Sequence, residues 1–126
     1  MITGIGKVVV PVDDQDRARE FWTTRVGFDL RRDDRYGDER WIEVSPPSGS
    51  PVLVLSPRPG GEPRPAVADE LPHSPVFFDC ADIEATHREL SERGVRFPAP
   101  PRRLPFGWWA LFEDPDGTRY ALGQWG

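Results

Sequence analysis

Cysteine occurs once in the chain, as Cys80, lysine once, as Lys7, and histidine twice, as His73 and His87. A single cysteine excludes an intramolecular disulfide and suits a reducing compartment, and Cys80 reads as a small core residue. The chain has no His-x-x-x-His and no Cys-x-x-Cys, so the spaced ligand sets of zinc sites are missing. It also has no Gly-x-Ser-x-Gly turn, and neither histidine stands beside a nucleophile, which leaves a serine-type triad unsupported. The glycines of "RPGGEPRP" have the wrong spacing for a nucleotide-phosphate loop. Long apolar runs are missing too, and "MITGIGKVVVPV" carries no basic-then-apolar leader pattern. The expectation is a soluble, cytoplasmic protein with no membrane partner. Basic charge is in deficit, 16 Lys and Arg against 21 Asp and Glu, for a net charge of −5. With no basic patch to displace counterions from phosphate, no nucleic-acid partner is expected.

What remains is a 126-residue chain, the length of one domain, whose pattern runs twice. "KVVVPV" reads as a strand, Asp13 and Asp14 offer a helix N-cap, and Ala18, Phe21, Trp22 and Val26 recur at helical spacing until Gly27. "FDLRRDD", "RWIEVS" and "PVLVLS" follow as three strands. Residues 57–74, rich in proline and glycine, read as a linker. Then "VFFDC" is a strand, Asp82 caps a helix bearing Ile83, Thr86 and Leu90 on one face, and Gly94 ends it. "VRF", "GWWALFE" and "TRYALG" are the closing strands. Each copy is therefore βαβββ, as module 1 (1–56) and module 2 (75–126). A constant offset places Val10 on Phe77, Ala18 on Ala85, Gly27 on Gly94 and Trp41 on Trp108, and one inserted residue then puts Pro47 on Pro115 and Gly49 on Gly117.

The duplicated βαβββ unit, with "VDDQDRAREFWTTRVGF" in one copy and "ADIEATHRELSERGV" then "FEDPDGTRYALGQ" in the other, resembles the vicinal oxygen chelate superfamily, the glyoxalase/bleomycin resistance protein/dioxygenase group. The resemblance implies an α+β fold of two tandem βαβββ modules whose mixed sheets curl into a cup, often across a homodimer. Metalloenzymes of the family line that cup with His, Glu or Gln on the first and last strand of each unit, because a divalent ion needs several oxygen or nitrogen donors. The matching positions here are Lys7, Pro75, Leu53 (Val54 if the register slips by one) and Ala121. A protonated lysine repels a cation and the others offer no side-chain donor. No metal and no other cofactor is therefore expected. Glu43 could approach the cup, and Glu113 reads as a strand-end residue.

With metal set aside, the remaining signal is aromatic. Strand alternation sends Phe106, Trp108, Ala110 and Phe112 to one face and Gly107, Trp109 and Leu111 to the other. The repeat favours Trp41 and Trp108 as cavity walls, with packing between sheet and helix as the alternative. Lys7 shares a face with Ile5, Val9 and Pro11 and could hold a ligand anion or act as a base. Arg102 and Arg103 stand before the aromatic strand, either as solvated loop charges or as a cavity rim that steers an anion. The ligand-binding candidates are Lys7, Trp41, Leu53, Phe106, Trp108 and Ala121. The expected function is metal-free binding of a hydrophobic or planar molecule, a resistance-like sequestration. The alternative is a glyoxalase-like lyase or isomerase, or a dioxygenase, with relocated metal ligands or Lys7 as base.

Overall fold

The computed structural model describes residues 1–58 and 74–125, and the chain divides into two units, Met1–Pro63 and Arg64–Gly126. His73 and nearly all of the expected linker at 57–74 lie outside the described residues. Of the linker's ends, Pro57 closes a strand and Ser74 is buried, its Oγ accepting from Ala121 N at 2.8 Å.

In the first unit, β1 (Lys7–Val12), α1 (Gln15–Glu20), a π-helical turn (Phe21–Arg25), β2 (Asp29–Tyr36), β3 (Glu39–Ser45) and β4 (Val52–Pro57) follow in order. They build one four-stranded sheet, β1-β4-β3-β2, in which β1 runs parallel to β4 and the other pairs are antiparallel. The Asp14 carboxylate accepts from Arg17 N at 3.0 Å and so caps α1, while Gly27, at φ +90°, turns the chain out of the helix. Alternation places Val10, Val12, Ile42, Val44, Leu53 and Leu55 on one face, buried with Ala18, Phe21 and Trp22. Each such side chain contributes about 1.5–3 kcal/mol by leaving water. Gln15 Nε2 donates to Arg40 O and Leu55 O, both at 2.9 Å, which ties the start of α1 to β3 and β4.

The second unit repeats the plan with β5 (Phe77–Asp79), α2 (Ile83–Glu92), β6 (Arg102–Leu104), β7 (Gly107–Glu113) and β8 (Arg119–Trp125), in the order β5-β8-β7-β6. Asp82 caps α2 through Ala85 N at 3.1 Å, and Gly94, again at φ +90°, ends it. Phe78, Phe112 and Tyr120 pack ring to ring on the helix side, with centroids 5.7–6.1 Å apart. In the β7–β8 hairpin the Asp114 carboxylate accepts from Asp116 N and Thr118 N, each at 2.9 Å, and from Tyr120 OH at 3.2 Å, while Gly117 takes φ +84°. The expected turn forms for the expected reason, a short carboxylate bonding the backbone two residues on.

Two expectations need correction. "VRF" is not a strand: Arg96 makes a single bridge to Glu113, and the first strand after the helix in this half is Arg102–Leu104. The repeat register also shifts by one. Core-facing Val10 pairs with Leu55, and its counterpart by the same ladder logic is Phe78, which pairs with Leu122; Phe77 faces the other way. The span from Asp14 to Gly27 holds one residue more than that from Asp82 to Gly94, and the π-helical turn takes up the extra residue. Among the described residues no helix is long and apolar enough to cross a membrane.

Candidate functional site

In each unit one sheet face is covered by the helix and the other carries the candidate residues. On the first unit's second face stand Lys7, Val9, Val54, Trp41 and Glu43, set there by the pairings Lys7↔Val52, Val9↔Val54 and Glu43↔Val54. Lys7 Nζ donates to Glu43 Oε2 at 2.8 Å, and Trp41 Nε1 donates to the same oxygen at 2.5 Å. The Glu43 side chain is only 9% exposed, against 53% for Lys7. The hydrogen bond from Lys7, then that from Trp41, pulls the Glu43 carboxyl below its usual range despite the cost of burial. Glu43 is thus held as an anion and suits neutralising and orienting Lys7 better than donating a proton. Lys7 Nζ also lies 5.8 Å from the Trp41 ring centroid. Arg32, across from Glu43 on β2, adds a second cation to this face.

Leu53 does not join this group. Its pairing with Val8 and Val44 turns it to the helix side, where it is fully buried, and Val54 is the β4 residue on the face of Lys7.

On the second unit's corresponding face, Trp109, Leu111 and Ala121 form a buried cluster with Leu104 packed against it. Trp109 pairs with Gly123 and Trp108 with Gln124, so the two tryptophans point to opposite faces, as alternation requires. The face with Gln124 is the helix side, because the Gln124 side chain accepts from Ile83 N at the start of α2. Trp108 therefore leaves the expected cavity wall, and the counterpart of Trp41 is Trp109. The ladders decide it: Trp41 precedes core-facing Ile42 as Trp109 precedes Ala110, one residue on from the offset that aligns Gly27 with Gly94. Phe106 is not in the strand; it sits in the β6–β7 turn, 60% exposed, its ring 5.7 Å from that of Trp125. Ala121 is fully buried and backs the cluster without reaching its surface.

A cavity of about 180 Å³ opens beside Trp109, walled by Pro98, Pro100 and Leu111 and edged by Arg102 and Arg119. The Arg102 guanidinium stacks 4.8 Å from the Trp109 ring centroid, and Arg119 Nε donates to Glu113 at 3.1 Å. The expected strand-end role of Glu113 thus includes an ion pair. Sequence reasoning had both arginines of "PRRLPF" in a loop; the strand they form sends Arg102 over Trp109 and Arg103 over Trp108, on opposite faces.

A match to the family model described as "Glyoxalase/Bleomycin resistance protein/Dioxygenase superfamily" spans residues 4–122. The chain belongs to this superfamily. It is 35% identical over 125 residues to the uncharacterized protein YetH of Bacillus subtilis, covering 98% of this chain and 100% of YetH. The crystal structure of TnmS3, described as an antibiotic binding protein from Streptomyces sp. CB03234, superposes with a TM-score of 0.83 at 32% identity, covering 99% of this chain and 98% of TnmS3. A superfamily member from Sphaerobacter thermophilus also gives a TM-score of 0.83, at 25% identity and 98% coverage of both chains. The two mixed four-stranded sheets, each with a short helix, are the fold of this superfamily.

The residues at the positions where the superfamily's metalloenzymes hold a divalent ion do not fit one. Lys7 presents an ammonium already bound to Glu43, Val54 and Ala121 present hydrocarbon, and Pro75 has no side-chain donor. Among the described residues, no group of three or more His, Cys, Asp or Glu is placed so that it could hold a metal ion.

Proposed function

We propose that the protein binds a small hydrophobic or planar molecule without a metal, on the sheet faces that carry Trp41 and Trp109, in the manner of resistance-like sequestration. One observation carries this reading: Ala121, at a position where a metalloenzyme of the superfamily would place a ligand, is sealed into an apolar cluster with Trp109 and Leu111. Flat aromatic walls give large contact area at low conformational cost. The likeness to TnmS3, described as antibiotic-binding, supports the same ligand class. Lys7 enters as a tether for a ligand's polar end and not as a base, since its ammonium is committed to Glu43.

The test is a fluorescence titration with the neutral planar probe N-phenyl-1-naphthylamine, on protein purified without chelator, before and after treatment with EDTA. Saturable binding that EDTA leaves unchanged is expected. One divalent ion per site in the untreated protein, with binding lost on its removal, overturns the metal-free reading. The same proposal takes the protein as a homodimer, supported by exposed Val9 on edge strand β1 and exposed Ile5 just before that strand. Sedimentation at the mass of one chain would remove that part alone.

A further inference from the structure

We infer that the cavity beside Trp109 selects an aryl carboxylate, one aromatic ring or the ring-bearing end of a larger planar molecule, with Arg102 as the residue that reads its charge. The inference rests on the planar-ligand reading above and assigns that ligand a charged end and a seat. Size comes first. A cavity near 150 Å³ accommodates benzene, and this one, of about 180 Å³, leaves room for one small substituent on such a ring.

Charge comes next. The cavity's lining includes two guanidinium groups and no carboxylate. Arg119 is partly neutralised by Glu113, which also pairs with Arg96 at 3.5 Å. Arg102 differs: among the described residues its guanidinium only stacks on Trp109, which leaves the donors at the rim of its planar fork for a ligand. The ring of Trp109 forms one wall of the cavity, while its indole N–H is buried and has no acceptor among the described residues. The walls add Pro98, Pro100 and Leu111, apolar groups suited to a ring. A neutral ring would satisfy the walls and leave the guanidinium unmatched. An ammonium would face two like charges. An aryl carboxylate matches both the walls and the cation.

The first unit does not offer the same chemistry. Its Lys7 is already paired with buried Glu43, so an anion arriving there must compete with a carboxylate held 2.8 Å from the ammonium. The selectivity therefore belongs to the second unit.

The experiment compares benzoate with benzyl alcohol, the same ring without the charge, by following the five tryptophan indole N–H signals of the full chain in two-dimensional NMR, with Trp109→Phe used to assign the Trp109 signal. Benzoate is expected to move the Trp109 signal and to bind at least tenfold more tightly than benzyl alcohol. Arg102→Gln should weaken benzoate at least tenfold. Arg103→Gln, the same charge change on the opposite sheet face over Trp108, should leave benzoate binding unchanged. If benzyl alcohol binds as tightly as benzoate, or if Arg102→Gln has no effect, the charge inference falls and the planar-ligand reading stands. An equal loss in Arg103→Gln reduces Arg102 to general charge attraction and also overturns it. If neither ring binds while N-phenyl-1-naphthylamine does, this cavity is not the seat; if no probe binds, both readings fall.

Discussion

The two units share a strand order and a helix position, yet the sheet faces turned away from their helices are built from opposite materials. In the first, a buried carboxylate, Glu43, gathers Lys7 and Trp41 around one oxygen, with Arg32 across the ladder. In the second, the same region is Trp109, Leu111 and Ala121, and charge stands around its edge, on Arg102 and on the Arg119–Glu113 pair among others. The matched tryptophans carry the contrast: Trp41 is 37% exposed and hydrogen-bonded, whereas Trp109 is 5% exposed with an unmet N–H. One face is organised by electrostatics and the other by exclusion of water, so a repeat in backbone is not a repeat in chemistry.

The largest expected effect tests that contrast directly. Trp109→Ala opens a cavity inside a buried cluster and should cost about 3–5 kcal/mol of stability. Trp41→Ala removes a half-exposed ring and one hydrogen bond and should cost about 1 kcal/mol. Denaturant unfolding of the two variants against the parent measures the difference. Equal losses would mean that Trp41 is as deeply built into its unit as Trp109, and the contrast would collapse.

What the sequence made legible was local. Asp14 and Asp82 cap their helices, Gly27 and Gly94 end them, and the Asp-Pro-Asp-Gly hairpin closes as written, because each depends on one residue bonding or turning its immediate neighbours. Register was less legible. A π-helical turn takes up a residue within the first helix, and in "GWWALFE" two adjacent tryptophans satisfy the repeat equally well in composition; only the ladder chooses Trp109. The strand Arg102–Leu104 was hidden for a related reason. Three residues flanked by prolines are too short to display alternation, so the feature that brings Arg102 onto Trp109 could not be read as a strand. The carboxylate that organises the first unit was legible only as one able to approach the cup, since its pairing with Lys7 crosses from β3 to β1 through β4.

The next effect in size uses two buried carboxylates, Asp114 and Glu43, one from each unit, which respond to pH in opposite senses. Asp114 is pushed up to about 6 from 3.8, chiefly by burial, because its partners are neutral backbone N–H groups and a phenol and none brings a full positive charge. Below pH about 4 it is protonated in both the folded and the unfolded chain, and this contribution to stability is fully present. As pH rises through about 6 the folded chain must ionise a buried group, and on the order of 3 kcal/mol of stability is lost. Asp114→Asn keeps an acceptor oxygen for Asp116 N and Thr118 N and removes the ionisation. Its stability, followed by thermal unfolding, should stay level over the interval in which the parent declines. A parent profile that is also level would show that the hairpin's neutral donors compensate burial in full.

Glu43 supplies the reverse and smaller effect. Its folded carboxyl lies below the ordinary 4.5, held there first by Lys7, so its contribution is present above that value and is lost as pH falls through the lower folded one. Glu43→Gln should cost about 1 kcal/mol at neutral pH, because the amide still accepts one hydrogen bond but no longer pairs with the ammonium, whose own exposure limits what the ion pair contributes. The deficit should shrink toward zero in acid, where the parent's carboxylate is protonated as well, and in high salt it should change little if the Trp41 bond dominates but narrow if Lys7 does. Unfolding measured across pH and salt separates the two donors. A deficit that grows in acid would reverse the assignment, since it would mean that Glu43, like Asp114, is a carboxyl that its unit prefers to keep protonated.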